Sequence, residues 1–247
     1  MSPSDVRPIV ILGAHGGIGE ALARRLAGQG HSLFLTARDE RNLDGLAEEL
    51  GARTASLDVM DEDAIAEVVG SADPGDGIAG LAYCVGSIVL KPLKSAASSD
   101  FIDTFRLNAP GAALAVKAAE KGLKKAGGSV VLFSTVAVQQ GFNNHSVISA
   151  AKGSVEGLTR ALAAELAPKI RVNAIAPSIT DTGIAEKLLS SEQMAKGLAD
   201  MHPVGRYGRP DDIAAMAALL LDGEAGWVTG QVIAVDGGRG ALRTRSQ

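Results

Sequence analysis

Short apolar runs alternate with longer amphipathic segments along most of the chain. Residues 9–12 form a continuous apolar run, which is typical of a strand that is buried on both faces of a sheet. A glycine-rich turn follows, and apolar residues then recur at helical spacing over residues 18–27. The pattern predicts further strands at residues 33–35, 53–57, 80–85, 130–133, 170–175 and 232–235. It predicts further helices at residues 42–50, 61–69, 101–125, 149–167 and 211–221.

Seven predicted strands alternate with at least six predicted helices, and this alternation indicates an α/β fold. Strands joined by crossover helices pair in parallel, so we predict a doubly wound, seven-stranded parallel sheet of the Rossmann type with helices on both faces. We find no interdomain linker and expect a single domain over residues 1–247. The least regular stretch, residues 177–203, follows a strand, and we interpret it as a substrate loop.

The composition argues against several classes of partner. The net charge is -4, and no stretch has the density of Lys and Arg of a nucleic-acid surface. We interpret Arg239, Arg243 and Arg245 as a solvated basic tail. No apolar run approaches the ~20 residues that a membrane-spanning helix needs. We therefore predict neither a nucleic-acid partner nor a membrane partner.

The single cysteine bears on the cellular location. Cys84 has no second cysteine with which to form an internal disulfide, which fits a reducing compartment. Its sequence neighbours are apolar, so we interpret it as a buried structural thiol. Residues 1–8 lack the pattern of a signal peptide. We expect a cytoplasmic protein and predict no metal site.

The glycine-rich turn after the first predicted strand is a candidate phosphate-binding loop. Its glycines follow the spacing G-x-x-x-G-x-G from Gly13 to Gly19. Gly13 lets the chain leave the strand sharply, Gly17 lets the backbone approach a pyrophosphate, and Gly19 allows close packing of the helix on the sheet. The N-terminus of the following helix favours the negative charge of a phosphate. A purely structural turn is the alternative, and the position in the first strand-to-helix turn favours the nucleotide.

Together with other segments, this loop resembles the short-chain dehydrogenase/reductase family over nearly the whole chain. The matching segments in the C-terminal third are residues 171–177, 203–210 and 229–238. One departure lies after the fourth predicted strand, where Tyr83-Cys84-Val85-Gly86 stands in place of Asn-Asn-Ala-Gly. Only the glycine of that motif is kept.

The resemblance implies that the chain binds a nicotinamide dinucleotide. Asp58 and Val59 match the pair that contacts the adenine, although Asp58 could instead be a turn or capping residue. Thr182 matches a threonine placed against the nicotinamide carboxamide. The cofactor-binding residues implied in this way are Gly13, His15, Gly17, Ile18, Gly19, Arg38, Asp58, Val59, Gly86, Lys152, Pro177, Thr180 and Thr182.

The end of the second predicted strand bears on which nicotinamide cofactor is used. An acidic residue there would accept hydrogen bonds from a ribose 2′-hydroxyl, whereas a basic residue would pair with a 2′-phosphate. Thr36 is not acidic and Arg38 is basic, which favours NADP(H) over NAD(H). Asp39 and the lack of a second basic residue at Gly16 argue the other way. Arg38 could also be a solvated residue at the start of a helix.

The resemblance also implies a set of catalytic residues. Lys152 matches the lysine that binds the nicotinamide ribose and lowers the pKa of a neighbouring tyrosine. Asn108 matches the asparagine that supports a proton-relay water, and Pro110 predicts a distorted helix beside it. Thr135 lies 17 residues before Lys152, where the family has the serine that holds the substrate oxygen. A threonine hydroxyl has the same hydrogen-bonding capacity, and the adjacent Ser134 is expected to face the other side of the strand.

The position of the family's tyrosine is occupied by an aliphatic residue. The tyrosine lies four residues before the lysine, and that residue is Ile148. The spacing from Thr135 to Lys152 is preserved, so a shifted alignment does not explain the change. The chain has two tyrosines, Tyr83 and Tyr207. We expect Tyr83 at the end of the fourth strand, beside the adenosine half of the cofactor, where it is a poor proton donor.

Three functions are compatible with the lack of a tyrosine at position 148. The first is an oxidoreductase slowed by the missing acid, since general acid catalysis contributes about 10²–10⁴-fold. His145 is a candidate substitute acid, although it could also be a solvated loop histidine, and Ser149 or a water is a weaker candidate. The second is an inactive dinucleotide-binding sensor or partner subunit. The third is a reductase of a conjugated double bond, which needs little acid assistance at oxygen.

The remaining expectations concern the substrate and the assembly. The pocket would be lined by residues 87–97, 136–147 and 184–201. The apolar residues in these stretches are Val136, Val138, Phe142, Ile184, Leu188 and Leu189. They predict a largely apolar small-molecule substrate, although the same residues could instead pack a lid. The resemblance implies a homodimer or homotetramer that pairs through the helices predicted at 101–125 and 149–167.

Overall fold

A computed structural model describes residues 7–243 as one seven-stranded parallel sheet with helices on both faces. Residues 1–6 and 244–247, including Arg245, lie outside the described part of the chain. The strands are β1 (Ile9–Leu12), β2 (Leu33–Ala37), β3 (Arg53–Ser56), β4 (Gly80–Tyr83), β5 (Ser129–Phe133), β6 (Arg171–Pro177) and β7 (Val232–Val235). The predicted fold class is confirmed.

The α-helices lie between the strands, as the alternation predicts. They are α1 (Gly17–Gly28), α2 (Asp44–Leu50), α3 (Glu62–Gly70), α4 (Ser98–Asn108), α5 (Pro110–Ala126), α6 (Ser146–Leu166), α7 (Glu192–Asp200) and α8 (Pro210–Leu221). The prediction of one helix over residues 101–125 is wrong, because Pro110 lacks an N–H and starts a new helix. The helix predicted at 42–50 is likewise divided into a 3₁₀ turn at Glu40–Leu43 and α2.

The order of the strands places a crevice at one edge of the sheet. The order is β3-β2-β1-β4-β5-β6-β7, and every neighbouring pair is parallel. The chain winds outward from β1 in one direction and from β4 in the other. The carboxyl ends of β1 and β4 therefore lie at a topological switch point, where open α/β sheets bind ligands.

Aliphatic side chains fill the space on both faces of the sheet. One buried cluster packs the sheet against α3, α5 and α6, and a second packs it against α1, α2 and α8. The central strands are buried along their whole length, which explains their continuous apolar runs. With few aromatic residues available, small and branched side chains give this close packing.

The segment predicted as a loop at residues 177–203 contains helical structure. It holds a 3₁₀ helix at Gly183–Leu188 and the short helix α7. None of the residues of α7 is fully buried, whereas His202 just after it is. The segment therefore lies over the carboxyl edge of the sheet as a lightly packed cover. Within residues 7–243, no helix is long and apolar enough to span a membrane.

Candidate functional site

A cavity of about 310 Å³ lies at the carboxyl ends of β4, β5 and β6. Its walls come from Cys84–Gly86 after β4, Thr135 after β5 and Ser178 after β6. Ile184, Leu188 and Leu198 cover it from the segment at 177–203. The volume is at the lower end of the range for small-molecule sites. The cavity thus lies on one side of the switch point, next to the glycine loop.

The glycine loop between β1 and α1 has the predicted geometry. Gly13 has a φ of +77°, and its backbone N–H and that of Ala14 both donate to the carbonyl oxygen of Thr36 at 3.0 Å. A Cβ at Gly19 would overlap the carbonyl oxygen of Gly13, so only glycine lets α1 start this close to the strand. No side chain caps the N-terminus of α1. Its free N–H groups can therefore bind an anion.

Thr182 lies directly against this loop. A Cβ at Gly17 would lie 2.9 Å from Cγ2 of Thr182, so glycine at position 17 leaves room for the threonine. The hydroxyl of Thr182 donates to the carbonyl oxygen of Thr180 at 3.3 Å. Ile18 and Pro177 also line the cavity. The loop, the start of α1 and the segment after β6 are thus neighbours in space.

An exposed arginine follows β2 directly. Arg38 is exposed, and its carbonyl oxygen accepts the hydroxyl of Ser56 at 2.8 Å. Asp39 caps the following turn and is bound by Nε and Nη2 of Arg41 at 2.9 and 2.7 Å. This pairing lowers the pKa of Asp39. The carboxylate of Asp39, whose presence counted against NADP(H) in the sequence, is therefore already paired with Arg41. Arg38 has no ion pair among the described residues.

The other residues predicted for the adenosine half of a cofactor lie at the surface or just beneath it. His15 is exposed in the glycine loop. Asp58 is exposed and accepts the backbone N–H of Met60 at 3.0 Å, so it has the turn role that was the alternative. Val59 is buried beside it. His15 and Asp58 are thus open to solvent, whereas Val59 is covered.

Gly86, Asn108 and Lys152 converge from three separate elements. A Cβ at Gly86 would lie 3.2 Å from Nζ of Lys152 and 3.3 Å from Oδ1 of Asn108. Asn108 donates from Nδ2 to the carbonyl oxygen of Thr104 at 2.8 Å, which is the local bond expected at the helix break. Its Oδ1 is buried without a partner among the residues that the structure describes. A small polar cradle thus lies beside Gly86, with an acceptor and a donor facing it.

Lys152 is held by the end of β5. Its Nζ donates to the carbonyl oxygen of Phe133 at 2.8 Å. Burial lowers the pKa of Lys152 from 10.5 to about 8. Cys84 also lines the cavity and is only partly buried, whereas it was expected to be fully buried. Desolvation raises the pKa of this thiol to about 12, and it remains protonated.

The hydroxyl of Thr135 faces the cavity with its proton free. Oγ1 accepts the backbone N–H of Ala137 at 3.3 Å, so its own O–H remains available to a ligand. Ser134 also lines the cavity, but its hydroxyl donates to Oε1 of the buried Glu156 at 2.9 Å. The two neighbouring hydroxyls therefore have different partners, in line with alternation along the strand.

Ile148 lines the cavity together with Thr135 and Lys152. Helix α6 begins at Ser146, earlier than the predicted residue 149, so Ile148 lies one helical turn before Lys152 on the same face. Its side chain is 4% exposed and carries no polar atom. The place where a proton donor would be expected is therefore apolar.

His145 lies at the edge of the same cavity. It is half-buried at the N-cap of α6, and its Nδ1 contacts the carbonyl oxygen of Asn143 at 2.7 Å. Because that oxygen can only accept, Nδ1 carries the proton and Nε2 is free. The ring packs edge-to-face on Phe142, with centroids 5.3 Å apart. Ser149 instead donates to the carbonyl oxygen of Ala137.

Neither tyrosine substitutes for the missing one. Tyr83 belongs to the buried core, and its hydroxyl donates to the carbonyl oxygen of Leu107 at 2.7 Å. Burial raises the pKa of this phenol. Tyr207 is partly exposed and does not line the cavity. Tyr83 thus ends β4 and is a poor proton donor, as expected.

The interpretation of Arg239 as part of a solvated tail is also wrong. The chain turns back after β7, and Arg239 enters the cavity wall with its guanidinium 4.5 Å above the ring of Phe142. Arg243 is exposed, as expected. No local pattern distinguishes these two arginines, since the difference depends on a turn that follows the last strand. Over residues 7–243, no group of three His, Cys, Asp or Glu side chains could hold a metal ion.

Comparison with known proteins adds sequence relatives to this geometry. Residues 13–239 match a family model described as enoyl-(acyl carrier protein) reductase. L-xylulose reductase of Bos taurus is 30% identical, over 94% of this chain and 96% of its own. A Xanthobacter autotrophicus protein named inactive 2-(S)-hydroxypropyl-CoM dehydrogenase 2 is 36% identical, over 90% of this chain and all of its own. A short-chain type dehydrogenase/reductase from Mycobacterium ulcerans superposes with a TM-score of 0.90 at 29% identity, covering 98% of this chain and 92% of that one.

Proposed function

The chain belongs to the short-chain dehydrogenase/reductase family, and we propose that it is an NADP(H)-dependent oxidoreductase acting on a carbonyl or alcohol group. Proton transfer at the substrate oxygen is weakened because Ile148 stands at the tyrosine position. The observation that carries the proposal is the convergence of Gly86, Asn108 and Lys152 beside Thr135 in one cavity. The family's oxidoreductase chemistry supports an enzyme rather than a structural protein.

The residues present fit a nicotinamide dinucleotide. The left-handed Gly13, the close packing at Gly19 and the uncapped start of α1 suit a pyrophosphate. The exposed Arg38 suits a 2′-phosphate, since its guanidinium can bind phosphate oxygens in a bidentate manner. Thr182 against Gly17 and Lys152 beside Gly86 suit the nicotinamide half. When bound, the dinucleotide would supply or accept the hydride.

The protein's own groups at the reacting end orient the substrate. Thr135 can donate its free O–H to a substrate oxygen. Lys152 keeps two N–H donors beyond its bond to Phe133 and carries positive charge near that oxygen. The unpartnered Oδ1 of Asn108 can hold a water in the cradle beside Gly86. Thr135 and Lys152 can therefore still polarise the substrate oxygen without a tyrosine hydroxyl, and we expect a slow enzyme.

His145 is the side chain that we propose as the substitute acid. It lines the cavity, and its Nε2 is not used by the bond to Asn143. A neutral ring with the proton on Nδ1 presents a lone pair at Nε2, so only the imidazolium can donate from that atom.

The functional test uses the full chain with NADPH. Binding is measured by cofactor fluorescence, and oxidation is followed by absorbance with a panel of ketones, aldehydes and enones. Binding with slow oxidation by carbonyl compounds supports the proposal. Oxidation restricted to enones would favour reduction of a conjugated double bond, and lack of NADPH binding would refute the proposal.

A second candidate is an inactive dinucleotide-binding protein. The apolar Ile148 favours it, and one relative at 36% identity bears the name of an inactive dehydrogenase. Such a protein would serve as a sensor or as the partner of an active subunit. NADPH binding without oxidation by any compound in the panel would support this candidate.

Two further parts of the proposal concern the segment at residues 177–203 and the assembly of the chain. We propose that residues 177–203 form the substrate loop of a single-domain enzyme, because Ile184, Leu188 and Leu198 close the cavity. We also propose a homodimer or homotetramer that pairs through the α4–α5 and α6 helices. Ile102 and Phe105 on α4 are exposed apolar residues on such a surface. Light scattering of the purified chain would show the assembly, and a monomer would refute it.

A further inference from the structure

Arg239 is a charged side chain in the cavity wall that the proposed chemistry does not use. Gly237 and Gly238 both have left-handed φ angles, of +61° and +86°, and they turn the chain back across the cavity after β7. Asp236 stabilises this turn by accepting the backbone N–H groups of Gly238 and Gly240 at 2.9 and 2.6 Å. The turn therefore fixes the backbone position from which the side chain of Arg239 extends.

The guanidinium has few strong partners of its own. It stacks over Phe142, and it donates at long range to Oγ of Ser178 (3.4 Å) and Sδ of Met201 (3.5 Å). In the described part of the chain, no carboxylate oxygen lies within 4.0 Å of it. Burial lowers the pKa of Arg239, while the charge of Asp236 opposes this change. Arginine remains charged in proteins, so a partly desolvated cation faces the cavity.

The polar groups around Arg239 are arranged to leave it positive. Nδ1 of His202 contacts the carbonyl oxygen of Leu198 at 2.7 Å, so this atom carries the ring proton. Nε2 then accepts the hydroxyl proton of Ser178 at 2.8 Å, and Oγ of Ser178 is left to accept from Arg239. His202 is buried, and burial lowers its pKa, which keeps the ring neutral. These neighbours orient the guanidinium without neutralising it.

The rest of the cavity wall is mainly apolar, including Ile88, Leu90, Val136 and Ile184. We propose that Arg239 binds an anionic group of the substrate, such as a carboxylate, while the apolar remainder fills the cavity and the reacting oxygen lies at Thr135. This inference rests on the proposed oxidoreductase function and adds a substrate class to it. The planar guanidinium can present two parallel N–H donors to an oxyanion, which an apolar wall cannot do.

The test measures binding rather than turnover. Straight-chain carboxylic acids from butanoate to decanoate, and their primary amides, are titrated into the full chain saturated with NADPH, and heat is recorded. Each acid and its amide have the same shape but differ in charge. We expect at least one acid to bind about 10-fold more tightly than its amide, because hydrogen bonds between two charged partners are stronger than those to a neutral group. Equal affinities across the panel would overturn the proposal.

Three variants identify the residue responsible. Arg239→Gln should abolish the preference for the acid, and Arg239→Lys should retain part of it through charge alone. Arg243→Gln removes the same charge from an exposed position nearby and should retain the full preference. A preference for the acid that persists in folded Arg239→Gln would contradict the assignment. Loss of the preference in Arg243→Gln would contradict it as well.

The same samples separate this inference from the proposed function. NADPH affinity is measured in each by fluorescence before the acids are added. Failure of the wild-type chain to bind NADPH would refute the proposed function. Normal NADPH binding with no discrimination between acids and amides would refute only the anionic substrate class.

Discussion

The ammonium of Lys152 donates a hydrogen bond to the backbone carbonyl of Phe133 at 2.8 Å, where both residues are shielded from water. A charged group in such a place loses hydration that one carbonyl only partly replaces. For this reason the pKa of Lys152 falls from 10.5 to about 8. The position that we propose for cofactor binding therefore has a cost in stability.

Stability should increase with pH because of this lysine. Between pH 8 and 10.5 the unfolded chain keeps a proton on Lys152 that the folded chain has released, so the free energy of unfolding rises across this window. Denaturant unfolding of the wild type and Lys152→Met is compared without cofactor. The wild type should gain stability relative to the variant as the pH rises. A difference in the free energy of unfolding that stays constant with pH would contradict a lowered pKa of the buried Lys152.

Ile148→Tyr should increase carbonyl reduction. The side chain lines the cavity one helical turn before Lys152, so a phenol there would lie near Thr135 and the ammonium. General acid catalysis predicts a rise in kcat of about 100-fold or more. Ile148→Phe carries the same ring without the hydroxyl and should show no gain. Unchanged kcat in Ile148→Tyr, with NADPH still bound, would mean that the missing hydroxyl is not the limiting defect.

Arg38→Gln should weaken NADPH binding about 10-fold and leave NADH binding unchanged, because a charged hydrogen bond to the 2′-phosphate is lost. Asp39 does not compensate, since Arg41 already pairs with it. Dissociation constants for both cofactors are measured by fluorescence. Arg25→Gln removes an exposed charge from the far end of α1 and serves as the control. An equal effect on both cofactors would argue against 2′-phosphate recognition.

Gly86→Ala should weaken NADPH binding by about 10-fold while changing stability little. Gly86 does not need a left-handed φ, so alanine is sterically allowed in its backbone. Its Cβ would instead press on Lys152 and Asn108 at 3.2 and 3.3 Å and occupy the polar cradle. Gly45→Ala adds a methyl group in open space and is the matched control. Normal NADPH affinity in Gly86→Ala would show that the cradle is not used.

His145→Gln should lower the residual turnover and leave NADPH affinity unaltered. The glutamine can keep a local hydrogen bond to Asn143 but cannot deliver a proton as an imidazolium does. Steady-state rates and NADPH dissociation constants are compared with those of His31→Gln, which changes a histidine between α1 and β2. Equal rates for the wild type and His145→Gln would exclude this residue as the substitute acid.

Much of the fold was predictable because its signals are local. Continuous apolar runs mark strands that are covered on both faces, and the glycines of the first turn have steric requirements that are visible in sequence. The helix boundaries were less predictable. Pro110 signalled a distortion, but whether the chain bends or starts a new helix depends on packing around Asn108. The start of α6 at Ser146 similarly depends on contacts with neighbouring elements.

The site was only partly predictable, because its members are distant in sequence. Lys152, Thr135 and Ile148 were identified through the resemblance to the family and its spacing of catalytic residues. The inward direction of Tyr83 and the cavity-facing position of Cys84 did not, since they depend on how β4 packs against the helices. Arg239 was misjudged because its position depends on the turn after β7.

Local sequence patterns were sufficient to predict the order of strands and helices along the chain and the glycine loop, because hydrophobic period and steric demand are properties of neighbouring residues. The resemblance to the family then placed Ile148 at the tyrosine position through its spacing to Lys152. The shared cradle of Gly86, Asn108 and Lys152, and the position of Arg239 at the cavity, became visible only in the folded chain. These relationships arise when parallel strands align their carboxyl ends and a left-handed turn after β7 brings the chain back over them.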